Sequence, residues 1–211
     1  MLQSFKTIEK AAIIETVEKG SRFIGHAFPV DSEVAALAYL AEIRQVHARA
    51  THNCWAWQMG MANQMTRQSD DGEPSGTAGM PMLDYLRKED LKNVLVIVTR
   101  YYGGTLLGTG GLVRAYGHAA KEACIAAKII EKHLYQRFSI TVPYNLGGKL
   151  EFELRKGGHI ITDTSYTENI TVSVVTEKPN AENLAKHITN ITASVAEIVW
   201  QDSVYLKKIE N

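Results

Sequence analysis

Hydrophobic residues recur with a two-residue period in several short segments of the first part of the chain. This alternation predicts strands over residues 11–17 and 22–30, which flank a turn at Lys19–Gly20, and a third strand over 51–59. The continuous β-branched run 94–98 is typical of a strand that is covered on both faces. These segments together predict one sheet.

A helical period separates these strands. Helices are predicted over residues 31–50, 80–87 and 111–132, and the polar segment 63–79 is predicted to be a loop. Asp31 or Ser32 is a suitable cap for the first helix. The apolar stripe expected on that helix consists of Val34, Leu37, Ala38, Ala41 and Ala48. We expect the first domain to be a sheet with helices on one side.

The pattern begins again near His133. The elements predicted beyond it are a strand 135–142, a helix 143–156, a hairpin of strands 159–166 and 169–176, a helix capped by Asn180 and a strand 196–206. This βαββαβ order is that of a ferredoxin-like sandwich. The fold class predicted is therefore α+β, with domains at residues 1–133 and 134–211.

The composition of the chain argues against several classes of protein. The chain has 211 residues, with 23 Lys+Arg and 23 Asp+Glu, so any nucleic-acid binding must use a local patch. No apolar run approaches the roughly 18 residues of a membrane span. Two cysteines without a Cys-x-x-Cys motif predict free thiols and a reducing, cytoplasmic location.

The segment 98–116 contains five glycines within nine residues, bracketed by Arg100 and Arg114. They are Gly103, Gly104, Gly108, Gly110 and Gly111. Backbone amides at a helix start, flanked by guanidinium groups, favour an anion such as phosphate. The segment has neither the Walker motif nor the dinucleotide fingerprint. The alternative is a tight turn whose glycines permit close packing, with Arg114 and Tyr101–Tyr102 as packing residues.

Two other segments carry reactive residue types. Asp70, Asp71 and Glu73 offer oxygen ligands to a divalent cation, but we favour the alternative that they cap turns and pair with Arg67, Arg100 or Arg114. No metal and no cofactor is therefore predicted. His52 and Cys54 share one face of a strand, which permits a Cys–His nucleophile, although a buried structural thiol is favoured.

Four motifs in order resemble the YigZ/IMPACT family in its bacterial two-domain form. They are Ser21–Gly25, Ala50–Ala56, Ser69–Pro81 and Thr99–Tyr116. The resemblance implies a first domain like domain 2 of ribosomal protein S5 and a second like the C-terminal domain of elongation factor EF-G. Eukaryotic IMPACT relatives regulate translation by binding the activator of an initiation-factor kinase. The signature positions implied are Arg22, His52, Asp70, Asp71, Glu73, Arg100, Tyr101, Gly103, Gly104, Gly108, Gly110, Gly111 and Arg114.

These observations favour a non-catalytic regulatory protein, associated with translation or the ribosome, that binds RNA or an acidic or phosphate-bearing partner. Tyr101 and Tyr102 are expected to stack on bases. The residues expected to contact phosphates are Arg22, Arg67, Arg100 and Arg114. The alternatives are a Mg²⁺-dependent enzyme acting on a phosphorylated small molecule, with the three carboxylates as ligands, and a protein–protein adaptor.

Overall fold

A computed structural model describes residues 2–208 as an α+β protein with two compact units. Residues 5–131 form the first unit, and residues 2–4 together with 132–208 form the second. The elements up to residue 126 are β1 (Ser4–Ile8), β2 (Ala12–Glu18), β3 (Ser21–Pro29), α1 (Glu33–Val46), β4 (His52–Met59), β5 (Met65–Ser69), α2 (Gly79–Lys88), β6 (Val94–Tyr101) and α3 (Thr109–Ala126).

The sheet of the first unit has the strand order β2-β3-β6-β4-β5, and every neighbouring pair is antiparallel. Sequence analysis missed β1 and also β5, which lies in the segment predicted to be a loop. β5 is an edge strand that pairs only with β4, from Met59 opposite Met65 to Trp55 opposite Ser69. Because none of its residues is fully buried, it lacks the hydrophobic alternation that identifies a strand.

The central strand β6 is covered on both faces, as its β-branched run predicted. Val94, Val96 and Val98 pack into a core with α2 and α3. Leu95 and Ile97 face the opposite side, where they pack with α1. The expectation of helices on one side is therefore wrong, because a strand without a polar face needs a cover on each side.

Helix α1 begins after Ser32, whose hydroxyl accepts a hydrogen bond from the Ala35 amide at 3.3 Å. The predicted apolar stripe of this helix is wrong. Val34 and Leu37 are 79% and 47% exposed, whereas the side chains that face the sheet are Ala36, Leu40 and Ile43. Both sets of residues have helical spacing. The observed set places Leu40 and Ile43 against the sheet, where they pack with Phe28, Trp57, Leu95 and Ile97.

The second unit contains the six elements predicted for it in the predicted order. They are β7 (Ile129–Val142), α4 (Tyr144–Lys156), β8 (Ile160–Tyr166), β9 (Ile170–Glu177), α5 (Lys178–Ile191) and β10 (Glu197–Lys207). The sheet has the order β10-β7-β9-β8, and β1 also adjoins β7. The Asn180 cap is wrong: α5 begins at Lys178, after Glu177, because Pro179 is suited to the first turn.

One face of this second sheet packs against its helices and the other is polar. Phe138, Ile140, Val172 and Val174 point into the core with Leu150, Leu154, Leu184 and Ile188. Tyr135 and Val175 on the other face are buried, and four further intervening positions of β7 and β9 carry hydroxyl side chains, since side chains alternate between the faces of a strand. They are Ser139, Thr141, Thr171 and Ser173. These positions carry none of the aromatic side chains on which RNA bases stack.

A buried histidine lies on the α1 side of the first sheet. His26 is 1% exposed, and neither of its ring nitrogens has a hydrogen-bond partner. Its ring centroid lies 5.4 Å from that of His47, which hydrogen bonds through Nδ1 to the Tyr101 hydroxyl at 3.0 Å. Burial, together with His47, lowers the pKa of His26 from 6.5 to about 4.

We predict that Leu40→Ala and Leu37→Ala have very different effects on stability. Truncation of buried Leu40 leaves a cavity and lowers the free energy of unfolding by about 2–5 kcal/mol. Leu37→Ala, three residues away on the outer face of the same helix, changes it by less than about 0.5 kcal/mol. Urea denaturation measures both values, and a larger loss for Leu37→Ala than for Leu40→Ala would show that the sheet faces the row that contains Leu37.

We predict that His26 makes the fold acid-sensitive. The unfolded chain protonates this histidine near pH 6.5, whereas the folded chain does so only near pH 4. Since the unfolded state binds more protons between these values, stability falls as the pH falls through this window, by about 3 kcal/mol in total. Urea unfolding at pH 7, 5 and 4 should show a smaller loss for His26→Phe than for wild type. His118→Gln, at an exposed position, serves as the control and should follow wild type.

Candidate functional site

The loop between β5 and α2 is built around the Asp70 carboxylate. Its Oδ1 accepts hydrogen bonds from the amides of Ala78 (3.0 Å) and Gly79 (2.8 Å), and Oδ2 accepts one from Gly76 (2.8 Å). Asp71 accepts from Arg44 at 3.0 Å and from the Asn53 amide at 2.7 Å. Both carboxylates therefore hold the loop in shape: Asp70 caps its turns, as the turn-capping alternative predicted, whereas Asp71 pairs with Arg44, which was not among the predicted partners.

The third carboxylate forms a buried ion pair. Glu73 Oε1 accepts hydrogen bonds from Arg100 Nη1 and from the Tyr116 hydroxyl, each at 2.7 Å. Arg100 is only 5% exposed, and its guanidinium lies 5.5 Å from the ring centroid of Phe23 and 5.6 Å from that of Tyr102. Arg100 is therefore neutralised within the protein, which differs from the expectation that it contacts phosphate.

His52 and Cys54 follow one another on the same face of β4. His52 Nδ1 lies 2.8 Å from the Asp71 carbonyl oxygen. Because a carbonyl only accepts, Nδ1 carries the proton, and Nε2 faces Glu73 Oε1 at 3.8 Å. The Cys54 thiol is fully buried and donates to the Asp70 carbonyl oxygen at 2.9 Å. Burial raises its pKa above the ordinary value, so Cys54 is a structural thiol and not an activated nucleophile.

The glycines between β6 and α3 have different roles. Gly103 lies against the backbone of Gly20 and Ser21, where an added Cβ would come within 1.9 Å of the Gly20 carbonyl carbon. Gly108 has a φ of +72° and precedes the first residue of α3. The space beside it is open, as it is beside Gly104. The close-packing alternative therefore describes Gly103, whereas Gly108 forms an open helix start.

The start of α3 presents backbone amides without a side-chain cap. No side chain caps this helix at Gly108. Within residues 2–208, the amides of Thr109, Gly110 and Gly111 have no hydrogen-bond partner. Arg114 is exposed one turn later, and its Nη1 would lie 3.7 Å from a Cβ added at Gly110. Unpaired amides, the helix dipole and this guanidinium all favour an anion at this point.

Two pockets meet at this helix start. The first, which we call the ion-pair pocket, has a volume of about 360 Å³ and is lined by His52, Gly72, Glu73, Pro74, Arg100, Leu106, Leu107, Gly108, Thr109 and Leu112. The second, the arginine pocket, has a volume of about 370 Å³ and is lined by Glu18, Lys19, Leu107, Gly111, Arg114, Ala115 and His118. Leu107 borders both pockets, so they are neighbours, and we treat them together as the candidate site.

Six of the fifteen residues predicted for the site line these pockets: His52, Glu73, Arg100, Gly108, Gly111 and Arg114. Two of the predicted arginines are instead paired with carboxylates outside the pockets. Arg67 pairs with Glu33 of α1, and Arg22 pairs with Glu15 at 2.8 Å while it lies over the Tyr101 ring. Sequence reasoning missed several residues that line the pockets or support them. They are Lys19, Leu106, Leu107, Thr109, Tyr116 and His118. The four-residue spacing of Gly110, Arg114 and His118 along one helix face was the available signal.

Residues 19–124 match the family model described as the Impact N-terminal domain, and residues 140–194 match a domain of unknown function (DUF1949). The first match covers the motifs that form both pockets. The chain belongs to the IMPACT family. This confirms the family resemblance of the four motifs, and it places the candidate site in the domain that gives the family its name.

Relatives of known sequence support the same family. IMPACT family member YvyE of Bacillus subtilis is 36% identical over 211 residues, which cover 100% of this chain and 97% of that protein. IMPACT family member YigZ of Escherichia coli is 45% identical over 53% of this chain and 55% of its own length. Protein IMPACT of Rattus norvegicus is 37% identical over 43% of this chain, which corresponds to 30% of that protein.

A solved crystal structure of a hypothetical protein has a similar fold. It is 28% identical in sequence and superimposes with a TM-score of 0.62 over 96% of this chain and 99% of that one. The two-unit α+β architecture therefore also occurs in a solved structure. Across residues 2–208, no helix has the length and apolar character needed to cross a bilayer.

We predict that Arg100→Met destabilises the fold strongly. The substitution leaves Glu73 buried without its cation and lowers the free energy of unfolding by about 3–5 kcal/mol, which urea denaturation measures. Removing both charges in a Glu73→Gln, Arg100→Met double variant should recover much of this loss. Glu15→Gln removes a carboxylate from an exposed pair and should leave the unfolding midpoint unchanged. Comparable midpoint shifts for Arg100→Met and Glu15→Gln would show that the Glu73–Arg100 pair is solvated.

Proposed function

We propose that this IMPACT-family protein is a non-catalytic regulator of translation that binds a phosphate group of RNA at the start of α3. The open helix start beside exposed Arg114 is the observation that supports this proposal. Lys19 lines the same arginine pocket, where the positive charges of Lys19 and Arg114 outnumber the single carboxylate of Glu18. The homologues named IMPACT support the regulatory part of the proposal.

The proposed folds of the two units agree with this role. We assign the first unit to the ribosomal protein S5 domain 2-like folds. We assign the second to the ferredoxin-like folds, which the sheet order β10-β7-β9-β8 and the βαββαβ element order support. Both kinds of domain recur in proteins associated with RNA and the ribosome. Fold alone does not carry function, so the proposal depends on the site.

The charges of the chain favour a small contact with phosphates. Lys+Arg and Asp+Glu balance at 23 each, so the attraction must come from the local group around α3. Arg100 forms an ion pair with Glu73, and Arg22 forms one with Glu15. Arg114 is therefore the principal phosphate contact in this proposal. Tyr102, exposed after β6, is available to stack on a base.

The geometry does not favour the Mg²⁺-dependent enzyme. A hard cation needs several oxygen atoms that converge on one point. Asp70 uses both oxygens on three backbone amides, and Asp71 uses its own on Arg44 and the Asn53 amide. Glu73 is held by Arg100 and Tyr116. Each carboxylate thus binds a different partner within the protein, and the one oxygen of the three carboxylates left without a hydrogen bond within residues 2–208, Glu73 Oε2, does not form a cation site alone.

We predict that binding to ribosomes and to single-stranded RNA weakens steeply as salt rises. Each phosphate neutralised by the protein releases counterions, so the logarithm of affinity falls with the logarithm of salt concentration. Arg114→Ala should weaken binding and lower the slope by about 1. Arg87→Ala, at an exposed arginine in the last turn of α2, is the matched control and should retain the wild-type slope. Fluorescence anisotropy between 50 and 200 mM salt, roughly, measures both quantities.

Two results would contradict the proposal. One is an absence of binding even at low salt, and the other is binding that does not respond to salt. A partner that survives nuclease treatment in a pull-down would instead support the protein–protein adaptor. Nuclease thus separates these two kinds of regulatory protein.

A further inference from the structure

Two hydrogen-bond acceptors lie side by side in the ion-pair pocket, the Glu73 carboxylate and the His52 ring, and we call them its floor. Glu73 is 8% exposed, and its Oε1 is occupied by Arg100 and Tyr116. The other oxygen, Oε2, makes no hydrogen bond within residues 2–208. It is also not one of the fully buried polar atoms of these residues that lack a partner, so it is accessible from the pocket. His52 adds the lone pair of Nε2 in its neutral form, since Nδ1–H is directed to Asp71.

The charge of this floor is already balanced. Arg100 Nη1 lies 2.7 Å from the Glu73 carboxylate, so the pocket has no strong preference for a cation. A neutral group with N–H bonds satisfies two acceptors without adding a buried charge. The walls are apolar, because Pro74 and Leu112 line them and Leu106, which is 81% exposed, stands at the rim. A flat, neutral ring that carries an amine fits both features.

The two ends of the site match the two ends of a nucleotide. The amides of residues 109–111 and the Arg114 guanidinium suit a phosphate, and the acceptor floor suits a base edge. The pocket volume of about 360 Å³ lies within the range of small-ligand sites. Thr109 lines the ion-pair pocket and begins α3, so the two ends adjoin.

We propose that the ion-pair pocket binds an RNA base that carries an exocyclic amine, with the phosphate of the same nucleotide at the start of α3. This inference rests on the proposed function. Glu73 Oε2 and His52 Nε2 accept hydrogen bonds from the amine of cytosine or adenine. Uracil presents a carbonyl oxygen at the position where cytosine has its amine, and its N3–H offers one donor in place of the two N–H bonds of the amine, so one of the two acceptors is left unpaired.

Short oligo(C) and oligo(U) strands test this inference, because their bases differ only along one edge, in the group at position 4 and in the proton on N3, and both stack weakly. We expect wild type to bind oligo(C) about tenfold more tightly than oligo(U) in fluorescence anisotropy. Glu73→Gln should remove the preference, since its amide donates to uracil as readily as it accepts from cytosine. Arg114→Ala should weaken both strands equally and leave the ratio unchanged.

Two further variants keep the test decisive if Glu73→Gln unfolds, which its circular dichroism spectrum would reveal. His52→Phe removes one acceptor and should reduce the cytosine preference at an unchanged salt slope. Leu106→Ala, at a highly exposed position, should weaken both strands by a similar factor and leave the fold intact. A preference that survives Glu73→Gln in the folded state, or that is undiminished in His52→Phe, would overturn the inference.

The outcomes also separate this inference from the function on which it rests. If neither strand binds at low salt, the proposed function fails. If both bind equally to wild type, the phosphate site stands and the base pocket is wrong. The mononucleotides CMP and UMP form the last arm of the test. If the protein prefers CMP to UMP and binds oligo(C) no more tightly than free CMP, the pocket takes a free nucleotide. That result overturns RNA as the source of the base.

Discussion

The candidate site depends on one buried interaction, the ion pair between Glu73 and Arg100. Glu73 belongs to the loop after β5, Arg100 to β6, and Tyr116, which donates to the same carboxylate oxygen, to α3. A single carboxylate therefore joins three elements that are distant in sequence. Buried charges are tolerated only when each is paired with good geometry, so this contact strongly constrains the loop around it.

The loop that contains Glu73 also fixes the positions of neighbouring residues of the site through its other hydrogen bonds. The Asp70 carboxylate holds the amides of Gly76, Ala78 and Gly79, which fixes the turn that leads into α2. The carbonyl oxygens of Asp70 and Asp71 receive Cys54 and His52 from β4. The same loop therefore orients the His52 ring toward the pocket and seals the Cys54 thiol away from solvent.

Burial gives two arginines of one motif opposite roles. Arg100 lies within the sheet, where aromatic rings and Glu73 surround its guanidinium. Arg114 lies on the outer face of α3, beside amides that no side chain caps. The glycines divide in a similar way, because Gly103 allows two backbone segments to touch, whereas Gly108 leaves a helix start open. The site thus combines an internal, neutral pocket with an external, positive edge.

The amino-acid sequence by itself determined the local features of this protein: the doubly covered strand β6, the order of elements after β7, the glycine-rich helix start and the family. Each of these depends on neighbouring residues, because periodicity and motifs are local signals. Only the tertiary structure decided which row of α1 faces the sheet, that the polar edge segment Met65–Ser69 is a strand, and that Arg100 is buried while Arg114 is exposed. These outcomes depend on contacts between residues far apart in the chain. Burial decides whether a charged side chain is paired inside the protein or accessible to a ligand, and burial is a property of the whole fold.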